Sequence, residues 1–276
     1  MTPARPVASA TRALAWLYAR EQQRPLLAAL GALEDEIAAS LKFGLDHQVA
    51  HARLAWWREE CVRCAESQPA HPLTRTLLEC FAGRDPAPLA GLSGLVDVAA
   101  WDLAGATFGT RRELSGYCER WAGALVVPLA KFAAPQLDVA VARALGAALR
   151  ESELLGSLAR DARQGRLRLP LDELAAAGVA AQEFPPPPWA AALAARLAER
   201  HQELRAQLAR IVRALPPSAQ SALRPLLVWA ALAHLDSRRA ERRLPQAPPA
   251  SDHHAPLDGW RAWRAARRAD AGRLAL

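Results

Sequence analysis

Cys61 and Cys64 stand in the C-x-x-C spacing that zinc sites and thiol redox centres both use. Neither a second such pair nor a nearby His pair accompanies them, and the segment reads as helix, so the spacing fits two core thiols. His47 and His51 lie four residues apart on one helix face, a chelating distance. The residues between them lack the Glu of a zincin motif, so they read as a solvated or packing pair. Asp252, His253 and His254 fall in a loop and carry no specific chemistry. The acidic run Glu34, Asp35, Glu36 lies on an amphipathic helix, but no member has a carboxylate one turn away. Glu34 is flanked at that spacing by Leu30 and Ala38, Asp35 by Gly31 and Ala39, and Glu36 by Ala32 and Ser40. A hard divalent cation takes several oxygen ligands, so this helix alone is a poor metal site.

The run Gln164 to Val179, QGRLRLPLDELAAAGV, is the most informative in the chain. Gly165, Arg166, Leu167, Leu169, Pro170, Asp172 and Leu174 reproduce a GR-(I/L)-Y-LP-x-(D/E)-x-L helix exit, and a Leu145-Gly146 pair opens the preceding helix. Arg24-Pro25, Arg53 to Glu60, His71-Pro72-Leu73 and Leu114 to Gly123 follow in matching order. In these segments the chain resembles the squalene and phytoene synthase family. The resemblance implies an all-α bundle of isoprenoid-synthase type, with prenyl diphosphate as ligand and magnesium as cofactor where activity persists. It also implies two acidic motifs facing each other across a central cavity. The family's D-x-x-x-D pattern falls on Glu34 and Ala38. Its N-x-x-R-D-x-x-x-D pattern falls on Glu153, Gly156, Ser157 and Asp161. Glu34, Glu153 and Asp161 are therefore the remnant candidates for metal or diphosphate binding, and no catalytic residue is assigned. Glu153 and Asp161 are separated by about 12 Å of helical rise, too far for one ion to bridge unaided. Arg166 keeps its family position, and a guanidinium suits phosphate oxygens, so it is the expected diphosphate contact. The family's Tyr in this exit is Arg168.

Composition agrees with a helical core. Hydrophobic residues make up 51% and charged residues 23% of the chain, Ala and Leu dominate, and no long run alternates with period two. The formal net charge is +7, almost all from arginine, with Lys42 and Lys131 the only lysines. That balance favours diphosphates or acidic lipid surfaces as partners. Nucleic acid is the weakest candidate, because no recognised motif accompanies the charge. The apolar run Ala13 to Ala19 is too short for a signal peptide or a membrane span, so the expected location is cytoplasmic, with reduced cysteines and peripheral contact with the inner membrane.

Leu26, Leu30, Leu33, Ile37 and Leu41 mark a buried stripe on a helix over Gln23 to Ser40. Further helices are expected over His47 to Ala65, from His71-Pro72, and over Leu89 to Leu103, Arg112 to Leu125, Gln136 to Ala162 and Trp189 to Ala214. Trp56 and Trp57 read as core packing. Four prolines at Pro185 to Pro188 read as a stiff connector, and residues 244–256 as a flexible Pro-rich loop. The whole of 1–276 is expected to form one domain. The last helix mixes Trp260 and Trp263 with Arg261, Arg264, Arg267 and Arg268, which suits either a membrane interface or docking on the bundle. The eroded acidic motifs resemble a branch of the family that includes an assembly factor of respiratory complex I. They imply a noncatalytic protein that binds a prenyl chain or a protein partner near a membrane. The alternative is an active head-to-head prenyltransferase.

Overall fold

Capping side chains set where the helices begin. Asp46 accepts from the backbone N–H groups of Gln48 and Val49, Thr110 from Glu113, and Asp138 from Ala140. The structure, a computed structural model, describes residues 9–41, 45–181, 184–247 and 257–276, and every regular element among them is helical. In chain order these are α1 (Ala10–Trp16), α2 (Arg24–Ala38), α3 (His47–Ala65), α4 (Pro72–Cys80), α5 (Ser93–Leu103) and α6 (Arg111–Ala133). There follow α7 (Val139–Arg163), α8 (Leu171–Ala176), α9 (Ala191–Ala214), α10 (Pro217–Ala222), α11 (Arg224–Arg243) and α12 (Asp258–Asp270). The bundle expected from the composition is present.

α6 and α7 form the most extensive helix pair, and Gly146 is what lets them approach. A Cβ there would lie 2.7 Å from the Cβ atoms of both Ala122 and Val126. α2 packs on α4, α5 and α6, while α11 packs on α1, α7, α9 and α12. The buried apolar side chains form a continuous cluster from Ala15 to Leu274.

The Gly-Arg pair of the signature is first of all a helix stop. Gly165 has φ +76°, its N–H donates to the Ala162 carbonyl, and the Arg166 N–H donates to the Asp161 carbonyl. This double closure satisfies carbonyls that α7 would otherwise leave open, and a side chain at Gly165 would strain it. The following Leu169 is buried, and the Leu171 and Asp172 N–H groups bond the carbonyls of Phe108 and Gly109. The exit is thereby tied to the turn ahead of α6.

Several boundaries differ from the sequence expectation by a few residues, and α11 (Arg224–Arg243) was not among the helices expected. The helix expected from Leu89 begins as a 3-10 turn over Ala87–Leu92 before α5. α6 continues to Ala133 through Pro128, whose ring sits in the buried part of the helix. α1 was not expected as a helix, yet it packs against α11 with Arg12 fully buried. The prolines from Pro185 carry no helix, and both N–H groups of Trp189 staple that connector, the backbone one to Pro245 and the indole one to Pro185. Of the expected loop over 244–256, residues 248–256, with Asp252, His253 and His254, lie outside the described residues.

Candidate functional site

Glu34 and Glu153 do come together at the centre of the bundle, and the group between them is an arginine. Glu34 sits on the buried face of α2 and Glu153 midway along α7. α1 inserts Arg12 between them, at 0% exposure. Its Nη2 lies 2.8 Å from Glu34 Oε2 and its Nε 3.6 Å from Glu153 Oε1. The rings of Trp16, Trp121 and Trp229 surround the guanidinium, 5.4, 5.3 and 5.6 Å from its carbon. No N–H of Arg12 is aligned on an acceptor, so charge and ring faces hold it.

Each oxygen of the two carboxylates already has a partner. The Trp121 indole N–H donates to Glu34 Oε1 at 2.8 Å. The Ser9 hydroxyl donates to Glu153 Oε1 at 2.7 Å, and Arg150 reaches Glu153 Oε2 at 3.0 Å. Burial pushes the Glu153 carboxyl up, but Arg12, Arg150 and Ser9 outweigh it and hold it below the usual carboxylate range.

The network continues away from this pair. Arg150 Nη2 stands 3.5 Å from the Tyr117 hydroxyl, which bonds both oxygens of Asp102 at 3.2 Å. Burial raises the Tyr117 phenol above its ordinary range, so it remains a donor. Asp102 also receives Arg168 at 2.7 Å, whose Nε lies 4.0 Å from Asp161 Oδ2. Ser157 donates to the same Asp161 oxygen at 2.6 Å, and Arg160 stands 3.8 Å from the other. Asp161 thus belongs to a different node from Glu153, and the two do not share one site. Arg168 is the cation that links Asp161 to Asp102 in this second node. Arg166 is half-buried, and among the described residues no carboxylate pairs with it.

Four carboxylates, Glu34, Glu153, Asp102 and Asp161, therefore face four guanidiniums, Arg12, Arg150, Arg168 and Arg160. Magnesium needs accessible carboxylate oxygens and a net negative site. This donor set supplies neither, since a metal at Glu34 and Glu153 would meet a buried cation a few ångströms away. Magnesium does not fit these residues as they stand. Asp35 and Glu36 cannot complete the set, because both side chains are exposed on other faces of α2. Among the described residues no group of three or more His, Cys, Asp and Glu is arranged to hold a metal ion.

Large side chains pack around Arg12 at the centre. Trp121, Trp229 and Tyr117 are buried there, with the two indoles edge to face at 6.0 Å. Two depressions lie elsewhere. One of about 510 Å³ is lined by Asp172, Glu173, Arg196 and Glu199, and one of about 390 Å³ lies between the end of α7 and Pro185 to Pro187.

Cys61 and Cys64 are buried free thiols on α3, and burial pushes them up to about 12 and about 11. Thiolate chemistry is closed to both at neutral pH. The His47 and His51 rings meet edge to face on the surface, with Nε2 atoms 3.0 Å apart. Trp57 is buried as expected for core packing, whereas Trp56 is exposed and packs edge-on against Trp57 and His71. Sequence reasoning missed Arg12 altogether. Its signal was available: one charge alone in an apolar run, with Trp16 one turn on.

A family model described as squalene/phytoene synthase matches residues 6–261. A curated phytoene synthase from Arthrospira platensis is 29% identical over 134 residues, spanning 43% of this chain and 43% of that relative. Among solved structures, a dehydrosqualene synthase in complex with ligand superposes with a TM-score of 0.73 at 18% identity, covering 94% of this chain and 90% of its own. Squalene synthase HpnC from Alicyclobacillus acidocaldarius gives a TM-score of 0.68 at 18% identity, over 87% of this chain and 93% of its own.

Proposed function

Because this chain belongs to the squalene/phytoene synthase family, we propose that it is a member whose metal site has become a salt-bridged core and which serves as a noncatalytic binding or assembly scaffold. The observation that carries this reading is Arg12. A buried guanidinium occupies the space between the two acidic positions and, together with Arg150 beside Glu153, balances the charge of both carboxylates. A metal-dependent enzyme needs a cation that arrives with the diphosphate and leaves with it. With Trp121, Trp229 and Tyr117 packed at the centre, a prenyl chain has little room there, which favours a protein partner at the surface over an isoprenoid ligand in the core.

Head-to-head condensation of two prenyl diphosphates is the second reading. Family membership favours it, as do the buried Arg150 and Arg168, which carry charge suited to a diphosphate. It requires α1 to withdraw Arg12 and carboxylates from outside the expected positions to replace it.

The two readings separate on turnover. Purified protein is incubated with labelled farnesyl or geranylgeranyl diphosphate and magnesium, with and without NADPH, beside an active family member. The scaffold reading predicts no hydrocarbon product. Squalene, phytoene or a related product would overturn it.

A further inference from the structure

In α12 the usual relation between side-chain size and burial is inverted. Ala262, Ala265, Ala266 and Ala269 face the bundle, while Leu257, Trp260 and Trp263 are 58%, 53% and 53% exposed. Small residues inside let the helix lie close on α11, and they leave its large aromatic side chains outside the core. Trp260, Arg264, Arg267 and Ala271 recur at helical spacing along one exposed stripe, with Trp263 and Arg268 on its two sides. The Arg264 guanidinium stands 5.3 Å over the Trp260 ring. The Tyr18 hydroxyl donates to the Gly259 carbonyl at 3.3 Å, which brings the end of α1 to the start of α12. The neighbouring Leu17 is 73% exposed.

The charge of this face is one-sided. Both acidic residues of α12 are already engaged: Asp258 is buried against Arg239 and Arg261, and Asp270 pairs with Arg20 and Arg224. What remains outward is indole, aliphatic side chain and guanidinium. No helix among the described residues is long and apolar enough to cross a membrane.

We propose that the exposed face of α12, extended by Leu17, is a peripheral docking surface for an anionic phospholipid bilayer. Indole rings partition to the headgroup level, and arginines between them reach lipid phosphates with their stems against the aromatic faces. The same residues suit a protein partner less well, because the centre of a protein interface is depleted in charge and here the arginines interleave with the tryptophans. This surface does not depend on how the central site is read, since a scaffold and an enzyme would use it alike.

The test is flotation of the full chain with vesicles of phosphatidylcholine alone or mixed with phosphatidylglycerol, at low and at physiological salt. Wild type should float with the anionic vesicles, less so as salt rises, and stay behind with phosphatidylcholine alone. Trp260→Ser with Trp263→Ser, and separately Arg264→Gln with Arg267→Gln, should each weaken the anionic binding by about tenfold or more. These side chains are exposed, so circular dichroism and Tm should be unchanged. Wild type that does not float with anionic vesicles would overturn the proposal, as would variants that float as well as wild type. Self-association that the tryptophan pair breaks, without vesicle binding, would replace it with a protein interface.

Discussion

Arg12 is the only charged residue between Pro6 and Ala19, and it carries the reading of the whole centre. A buried ion pair is weak evidence of stability gained, but breaking one from a single side leaves an uncompensated charge in a dry site. Arg12→Met should therefore destabilise the protein by about 3–5 kcal/mol, measured by urea unfolding. Adding Glu34→Gln to Arg12→Met should recover part of that loss. Glu153 has its own signature with pH. Its carboxyl is held below the ordinary range when folded, so its contribution is present above the unfolded pKa and is lost as pH falls through the folded one. Glu153→Gln should therefore lower stability at neutral pH and flatten its decline in acid. His201 acts in a neighbouring window. Burial first, then Arg205, lowers it from 6.5 to about 4 beside Ser237, so the neutral ring is the folded form. Stability from this group is full above 6.5 and falls as pH drops toward 4, by on the order of 3 kcal/mol. Replacing it by Gln should remove that slope from the stability profile between these values.

At the scale of elements, α7 offers a paired test of packing. Gly146 and Gly156 lie on the same helix, but a Cβ at the first meets α6 at 2.7 Å while at the second it meets nothing within 4 Å. Gly146→Ala should lower Tm, with a cost of about 1–3 kcal/mol for overpacking. Gly156→Ala should raise it, because alanine is favoured in a helix interior by about 1 kcal/mol. The elements themselves were largely legible. α3 runs from His47 to Ala65 as its apolar spacing and flanking turns indicate, and the Leu and Ile stripe of α2 faces the core. The missed boundaries have local causes. The helix expected from Leu89 opens two residues earlier as a 3-10 turn behind Pro86, and the helix expected to end at Leu125 runs on through Pro128, carried by the packing of α6 on α7. α1 was too short to register by period, and its stability is tertiary: the indoles and carboxylates around Arg12 hold it.

For the whole molecule, the bundle could be read because its pattern is repeated in every helix, and the family because short motifs kept their order. The site could be read only in part. Glu34 and Glu153 were named and do converge, and the spacing along α7 already sets Asp161 apart from Glu153, whereas the cation between Glu34 and Glu153 is Arg12, more than twenty residues from the first and about one hundred and forty from the second in sequence. Pairing across such separations is decided by packing, which no local spacing encodes. If a resident guanidinium stands in place of a metal ion, as proposed, calorimetric titration of magnesium into the full chain with inorganic diphosphate present should show no saturable magnesium binding in wild type. Saturable binding that Glu34→Gln or Glu153→Gln abolishes, with the fold intact, would contradict the proposal.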